Sequence, residues 1–191
     1  MIRLIGFVAL ALLLVDSPAA TRGEETAGAG TEGASEGVVM RRATLLVRDA
    51  ERSIAFYRDV LGYEVWLENE GTVSGSGLPI DVPAGSPSRF VIMNGRDPYL
   101  GMIGLLQYGE AQAPLETDGP RTLAAGDVIL MIEAEDIENV HSQAQAIGAT
   151  VYKPPGDVVR IESVGGNAWD SRFMYLYDPD GHMIEVTERL N

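Results

Sequence analysis

Apolar and polar residues follow the same order twice along this chain, and the first round begins at residue 43. Ala43 to Val47 form a short apolar run of the kind that makes a strand. Asp49 is suited to cap a helix and Gly62 to end it. Between these two residues, apolar side chains recur at helical spacing: Ile54, Tyr57, Val60 and Leu61. We therefore predict a strand, a helix and then a second strand over Tyr63 to Leu67, with Phe56 and Tyr57 in the core.

A polar segment and a hairpin complete the first round. Glu68 to Ser88 is rich in Gly, Pro and Ser, and we expect a long loop, which in compact domains is usually a lid or a binding loop. Arg89 to Met93 and Leu100 to Tyr108 are predicted strands. Asn94-Gly95 and Asp97-Pro98 supply the turn residues between them.

The second round repeats this plan. Val128 to Glu133 is a predicted strand, Asp136 caps a helix that ends at Gly148, and Thr150 to Lys153 is the next strand. After a loop over Asp157 to Trp169, the closing hairpin follows.

The closing hairpin turns at Asp178-Pro179-Asp180-Gly181, where Pro presets one corner and Gly accepts a positive φ. Arg172 to Tyr177 precede the turn as one strand, and the strand after it contains Glu185, a single carboxylate among Met183, Ile184 and Val186. We therefore expect Glu185 to face either solvent or a cavity.

The N-terminus has the three parts of a secretory signal. Arg3 precedes an apolar run from Leu4 to Val15, and small residues follow it up to Ala20. We predict a signal peptide over residues 1–19, cleaved after Ala19, and hence an exported protein, periplasmic or secreted, with no stable membrane insertion. An uncleaved N-terminal anchor is the alternative. Residues 20–37, mostly Gly, Ala, Thr, Ser and Glu, are predicted to be a disordered linker.

Composition narrows the classes of partner. The chain has 28 acidic and 14 basic residues, with a net charge of −14 at pH 7, so nucleic acid is not expected as a partner. It has no Cys, so disulfides are excluded and stability must come from the core.

The two rounds define two modules, over residues 38–110 and 126–191, joined by a linker over residues 111–125. Leu45 to Tyr63 in the first module and Asp178 to Glu185 in the second resemble the vicinal oxygen chelate superfamily, which includes glyoxalases, bleomycin-resistance proteins and extradiol dioxygenases. The resemblance implies an α+β fold in which two βαβββ modules pack into one cup-shaped mixed-sheet domain. We expect the modules to close the cup within one chain.

In the catalytic members of that superfamily, each module supplies one metal ligand from its first strand and one from its last, typically His and Glu. Such ligands suit Zn, Ni, Mn or Fe. The matching positions here are Arg42, Gly104, Ile129 and Glu185. If the register slips by one residue, Ala43 and not Arg42 occupies the first-strand position. In the second module, Asp127 is the only carboxylate near Ile129. Because Glu185 alone matches the family pattern, we expect no tightly bound metal and no other cofactor.

Arg42 suggests a replacement for the metal. Its guanidinium could pair with Glu185 across the floor of the cup, as a fixed positive charge in place of the ion. Arg172 is expected to share a face with Glu185 and to join them. The alternative is that Arg42 lies on a solvated strand end.

Strand alternation predicts a largely apolar lining for the same cleft. Its expected members are Thr44, Leu46, Met102, Gly104, Leu106, Tyr108, Ile129, Met131, Met174 and Met183. Methionines adapt to irregular shapes, which suits either a hydrophobic ligand or a filled core. Trp169 is a candidate lid aromatic that stacks on a ligand, or a residue that plugs the edge of the cup.

Two functions are compatible with these features. The first is a binding protein that holds a small, mostly apolar or aromatic molecule through Arg42, Thr44, Met102, Met131, Trp169, Arg172 and Glu185. The second is a metal-dependent lyase or dioxygenase of the glyoxalase or extradiol type. There Glu185 would be a metal ligand or general base, and Asp127, a mobile loop or a partner chain would supply the missing ligands. A homodimer is compatible with both.

Overall fold

Nine strands and two helices make up the described part of the chain, which is residues 37–74, 78–114 and 121–190 of a computed structural model. In chain order they are β1 (Arg42–Leu46), α1 (Ala50–Asp59), β2 (Glu64–Thr72), β3 (Pro87–Asn94), β4 (Met102–Tyr108), β5 (Ile129–Ala134), α2 (Ile137–Ala146), β6 (Val151–Lys153), β7 (Val159–Glu162), β8 (Ala168–Tyr177) and β9 (Met183–Arg189). The predicted signal peptide and nearly all of the predicted linker over residues 20–37 lie outside the described residues.

Each module forms its own mixed sheet. The first has the strand order β1-β4-β3-β2 and the second β5-β9-β8-β6, with β7 also paired to β8. The first strand of each module is parallel to the last, whereas the hairpin strands are antiparallel. The predicted α+β class with two βαβββ modules is confirmed. No helix in the described ranges is long and apolar enough to cross a membrane.

Both helices begin and end where the sequence indicates. The Asp49 side chain accepts a hydrogen bond from the Arg52 backbone N–H at 3.3 Å, and the Asp136 side chain does the same for Asn139 at 3.0 Å. After the helices, Gly62 has a φ of +71° and Gly148 a φ of +70°, a conformation that favours glycine.

Strand pairing shortens both predicted loops. β2 continues to Thr72, which pairs with Pro87, so the segment between β2 and β3 is shorter than the predicted loop from Glu68 to Ser88. Likewise, β7 lies within the predicted loop from Asp157 to Trp169, and β8 begins at Ala168. Pairing with a distant strand outweighs the weak strand propensity of these polar segments.

One hydrophobic core contains residues of both modules. Phe56 and Tyr57 of α1 are 1% and 0% exposed, which confirms their predicted place in the core. The same cluster includes Ile137 and Val140 of α2 and Val186 of β9. The helix-facing sides of the two sheets therefore share one interior.

The opposite faces of the edge strands are open to solvent. A cup closed within one chain would bury the side chains that β1 and β5 direct away from the helices. Leu46, Ile129 and Met131 are instead 54%, 47% and 66% exposed. The predicted closure is therefore not seen at these edge strands.

The turn between β8 and β9 ties the modules together. Asp180 Oδ1 accepts a hydrogen bond from the Arg48 backbone N–H at 2.9 Å, and its Oδ2 accepts one from the Ser53 hydroxyl at 3.1 Å. The Tyr57 hydroxyl donates to Asp178 Oδ2 at 3.1 Å, and burial raises the pKa of Tyr57 well above its usual value, so this hydroxyl stays a donor. The two sequence motifs that carry the family resemblance thus contact each other.

Candidate ligand-binding site

The register of the first sheet sets which side chains share its outer face. Arg42, Thr44 and Leu46 of β1 pair with Met102, Gly104 and Leu106 of β4. On β3, Phe90 pairs with Leu106 and Ile92 pairs with Gly104. Because cross-strand partners direct their side chains to the same side, these residues form one surface, which we call the first-module face. Thr44, Leu46, Met102, Gly104 and Leu106 therefore share one face of the first sheet. Their place in a ligand-binding cleft with Glu185 stays a prediction. Ala43 faces the core, so the structure selects Arg42 over Ala43 as the first-strand position.

The Arg42 side chain lies across this face. Its Nε donates to Thr44 Oγ1 at 3.0 Å, and its guanidinium carbon lies 5.0 Å from the centroid of the Phe90 ring. A guanidinium over an aromatic ring is attracted by the negative face of the ring. Two contacts on two strands therefore hold an otherwise exposed arginine.

Gly104 leaves the space that Arg42 crosses. A Cβ atom on Gly104 would lie 2.7 Å from Thr44 Oγ1, 3.1 Å from Arg42 Cδ and 3.2 Å from Phe90 Cε2. The first of these separations is shorter than real Cβ contacts allow. A glutamate at this position would clash, so Gly104 and Arg42 are complementary in shape.

A cavity of about 440 Å³ adjoins one end of the first-module face. It is lined by Leu46, Leu106 and Tyr108 of the sheet and by Ile80 and Val82 of the segment between β2 and β3. A volume of this order suits a small-molecule ligand. The other lining residues are Val47, Arg48, Asp81, Gln112, Asp180 and His182.

Glu185 lies on the corresponding face of the second sheet. It pairs with Met131 of β5 and Tyr175 of β8, and Met183 precedes it on the same face. Burial, followed by the neighbouring Glu185 carboxylate, raises the pKa of Tyr175. Glu185 is half-buried, next to an exposed methionine.

The predicted position of Arg172 is wrong. In the β8–β9 register, Arg172 pairs with Glu188, and Tyr175 pairs with Glu185, so Arg172 and Glu185 point to opposite sides of the sheet. The Arg172 guanidinium instead forms ion pairs with Glu138 of α2 at 2.6 Å and Glu188 at 3.7 Å. Met174 was assigned to the Glu185 side for the same reason and is also corrected, because it is a fully buried core residue.

The predicted ion pair between Arg42 and Glu185 is also not formed. No Arg42–Glu185 contact falls within ion-pair distance in the part of the chain that the structure describes; Arg42 contacts Thr44 and Phe90, and Glu185 contacts Tyr175. The two residues lie on separate sheets. Sequence alternation predicts a face within one sheet, but not the placement of one sheet relative to another.

Trp169 lies within β8 and not in a loop, which corrects its placement as a lid aromatic. It pairs with Ile161 of β7, and the Arg189 guanidinium carbon is 5.1 Å from its ring centroid. Tyr175 is six residues further along the strand, so Trp169 is about 20 Å from the Glu185 region along β8.

Several contact residues were not predicted. Phe90, Ile80, Val82 and Tyr175 all belong to the environment of Arg42 or Glu185. Phe90 was within reach of sequence reasoning, since it lies in the predicted strand from Arg89 to Met93. Ile80 and Val82 follow a polar segment with no periodicity, so nothing in the pattern placed them on the sheet.

The four family positions do not fit a metal ion. Arg42 lies in the space over Gly104, Ile129 has no donor atom, and only Glu185 offers an oxygen ligand. The Asp127 carboxylate accepts a hydrogen bond from the Ala124 backbone N–H at 2.7 Å and is paired with Arg121. Within the described ranges, no group of three or more His, Cys, Asp or Glu side chains could hold an ion.

A second cavity, of about 450 Å³, lies between α1 and the segments around Ala149 and Tyr177. Arg52 and Arg121 line it, but each is already paired with a carboxylate. Neither cavity contains a family position, but the first is lined by Leu46 and Leu106, which share a face with Arg42 and Gly104. We therefore assign the candidate site to the first-module face.

Comparison with known proteins agrees with this architecture. An uncharacterized protein of Bacillus subtilis (strain 168), YraH, is 25% identical over 147 residues, which are 76% of this chain and 94% of that protein. A glyoxalase family protein from Bacillus cereus superposes with a TM-score of 0.58 at 19% identity, covering 83% of this chain and 100% of that one.

A mutant of glyoxalase I from Zea mays superposes with a TM-score of 0.52 at 18% identity. That match covers 80% of this chain and 46% of the maize enzyme. These likenesses concern the fold. The sequence model of the Glyoxalase/Bleomycin resistance protein/Dioxygenase superfamily matches residues 39–186, which contain every helix and nearly every strand described above. The chain therefore belongs to that superfamily.

Proposed function

We propose that this chain is a binding protein that holds a small, mostly apolar or aromatic molecule on the first-module face. The observation that carries this proposal is the cavity of about 440 Å³ between the sheet and the segment that crosses it. Leu46, Leu106, Ile80 and Val82 present apolar surface to it from two sides. Burial of apolar surface is the main favourable contribution to binding a molecule of this kind.

The residues at the family positions support binding over metal-dependent chemistry. Arg42 and Gly104 are mutually adapted, as the close approach at Gly104 indicates. A guanidinium here would repel a divalent cation, while it suits recognition of a polar group on a ligand.

The test is a screen of aromatic fragments by NMR on residues 20–191. Fragments that shift signals of the first-module face are then titrated against Leu46→Gln and Ile147→Gln. Leu46 lines the proposed site and is 54% exposed, whereas Ile147 lines the second cavity and is 47% exposed, so the pair is matched in chemistry and exposure.

We expect Leu46→Gln to weaken binding about tenfold and Ile147→Gln to leave it unchanged, because a lost apolar contact is worth about 1.4 kcal/mol. Binding that responds to Ile147→Gln alone would move the ligand to the second cavity and contradict the proposal.

A metal-dependent lyase or dioxygenase is the second candidate, and Glu185 favours it. Glu185 is half-buried beside its cross-strand partner Tyr175 and stands at a family ligand position. The missing ligands would have to come from outside the described residues or from a partner chain.

Metal content after dialysis against Zn, Ni, Mn and Fe in turn separates the two candidates. The binder retains well under one equivalent by mass spectrometry. Retention of about one equivalent that is lost in Glu185→Ala would put the enzyme first, with dicarbonyls and catechols as the next substrates to assay.

The proposal extends to the export of the protein and to its oligomeric state. The charged start, apolar run and small residues before position 20 support export and cleavage. A homodimer in which a second copy covers the exposed edge strands is compatible with the 66% exposure of Met131. N-terminal sequencing of the secreted protein and sedimentation of the mature chain test these two points.

A further inference from the structure

We infer that the ligand of the first-module face carries an anionic group, such as a carboxylate, sulfonate or phosphate, that pairs with Arg42. This inference rests on the proposed function and narrows the class of ligand. It assigns to Arg42 a role in specificity that differs from the metal-ligand role of the corresponding position in catalytic relatives.

Charge distribution is the first argument. The chain has twice as many acidic residues as basic ones, 28 against 14, so an arginine without a carboxylate partner is unexpected. In the described ranges, eight other arginines form ion pairs: Arg48, Arg52, Arg58, Arg89, Arg96, Arg121, Arg160 and Arg172. Arg42 and its neighbour Arg41, which stacks on Tyr99, have no carboxylate of the described residues within ion-pair distance.

The geometry of the Arg42 side chain is the second argument. Thr44 Oγ1 accepts the Nε–H, so the terminal nitrogens keep their donors for an external acceptor. These donors form the fork that matches a carboxylate or phosphate. The Phe90 ring supports the guanidinium from below, and an arginine already held in place loses less conformational freedom when it binds.

The direction of the Arg42 side chain is the third argument. Arg42 pairs with Met102 at one end of the sheet face, but its guanidinium reaches back past Gly104 to Phe90. Phe90 pairs with Leu106, which lines the cavity of about 440 Å³. The guanidinium therefore contacts a residue whose cross-strand partner lines the cavity.

The cavity itself sets the orientation of the ligand. Four charged or titratable residues line it: Asp81, Asp180, Arg48 and His182. Arg48 is already paired with Asp180 at 3.7 Å and His182 with Asp178 at 2.9 Å, so neither is free for a ligand anion, and the Asp81 carboxylate disfavours an anionic group there. The apolar part of the ligand would therefore enter the cavity, and the anionic group would lie over Phe90 against Arg42.

The experiment uses aromatic carboxylic acids, each paired with its primary amide, titrated by NMR into residues 20–191. The acid and the amide have nearly the same shape, so their difference in affinity reports charge. The variants are Arg42→Gln and, as a matched control, Arg41→Gln. Arg41 is the preceding residue, carries the same charge and stacks on Tyr99 with its guanidinium carbon 3.2 Å from the ring centroid.

We expect the acids to bind about tenfold more tightly than their amides, since hydrogen bonds to a charged group are the stronger class. Arg42→Gln should abolish this preference, and Arg41→Gln should retain it. Raising the salt concentration should weaken binding of the acids and leave binding of the amides unchanged.

Each result separates the inference from the proposed function. Equal affinity of acids and amides, with binding still sensitive to Leu46→Gln, overturns the inference and keeps the binder. An acid preference that survives in Arg42→Gln overturns it as well. If no member of the set shifts the first-module face, both proposals fail.

Discussion

At the scale of single residues, Gly104 has the largest influence on the first-module face. The family pattern already identifies it as the position where a second Glu ligand is missing. The structure adds a steric reason, because three side chains from the two neighbouring strands approach the place where a Cβ would be. The absence of a metal-ligating Glu at position 104 and the placement of the Arg42 side chain over it therefore depend on the same packing.

Gly104→Ala is expected to destabilise the protein by about 1 to 3 kcal/mol, because Thr44 is β-branched and cannot move its Oγ1 away without a rotamer change. Gly71→Ala is the matched control on the same sheet, since its nearest atom would be Ser88 Oγ at 3.8 Å, an ordinary contact. Urea unfolding of both variants measures the difference. A loss of stability no larger in Gly104→Ala than in Gly71→Ala would contradict the proposed packing.

At the scale of secondary-structure elements, the turn between β8 and β9 has two roles. Its Asp-Pro-Asp-Gly sequence predicts a tight turn, and Gly181 does adopt a φ of +86°. Its two aspartates also bind Ser53 and Tyr57 of the first module. The second role depends on residues more than 120 positions away, so no local pattern could have indicated it.

Tyr57→Phe tests that contact. The variant leaves the buried Asp178 carboxylate without one donor, and the expected cost is about 1.5 to 3 kcal/mol, the range for hydrogen bonds to charged groups. Tyr63→Phe is the control, because its hydroxyl donates at 3.2 Å to the uncharged Gly101 carbonyl and should contribute about 1 kcal/mol. Thermal or urea unfolding that ranks Tyr63→Phe as the more harmful change would argue against the turn as the link between modules.

The same turn predicts a dependence on pH. His182 Nδ1 lies 2.9 Å from Asp178 Oδ2, and this hydrogen bond raises the pKa of His182; the charges of Asp178 and Asp180 act in the same direction, while burial and Arg121 oppose it. A raised pKa in the folded state means that the protonated form stabilises the fold below the unfolded pKa of about 6.5. That contribution is lost as the pH rises through the folded pKa.

Unfolding of wild type and His182→Gln at about pH 5.5 and about pH 8.5 isolates this contribution. The wild type should exceed the variant in stability by more at the lower pH. The two proteins differ at no other ionisable group, so the difference isolates His182. A difference that grows with pH would show that His182 is bound in its neutral form.

At the scale of the whole molecule, the two modules share their interior while each keeps its own sheet. The core cluster contains residues from α1, α2 and strands of both sheets. The outer faces of β1 and β5 are exposed at Leu46, Ile129 and Met131, although these side chains are apolar.

A shared core predicts one cooperative unfolding transition. Each module contains one of the two tryptophans, Trp66 in β2 and Trp169 in β8, so Trp66→Phe and Trp169→Phe leave a fluorescent reporter in one module at a time. The two single-tryptophan proteins should unfold with the same midpoint once each is compared with its own circular dichroism curve. Separate midpoints for fluorescence and circular dichroism within one variant would indicate modules that unfold independently.

Local sequence features were sufficient to predict the helices, the turns and the family. The helix ends depend on contacts between residues a few positions apart, so they can be predicted from the sequence. These end residues are Asp49, Gly62, Asp136 and Gly148. Apolar periodicity placed Phe56 and Tyr57 in the core for the same reason. The absence of metal ligands at three of the four family positions was also visible, because it concerns residue types alone.

The tertiary structure decided what depends on distant partners. The β8–β9 register reversed the face of Arg172 and Met174, since a shift of one residue in pairing moves a side chain to the other side of a sheet. Long-range pairing also extended β2 and created β7. The contacts of Arg42 with Thr44, Phe90 and the space over Gly104 join three strands, and only the packing of those strands could bring them together.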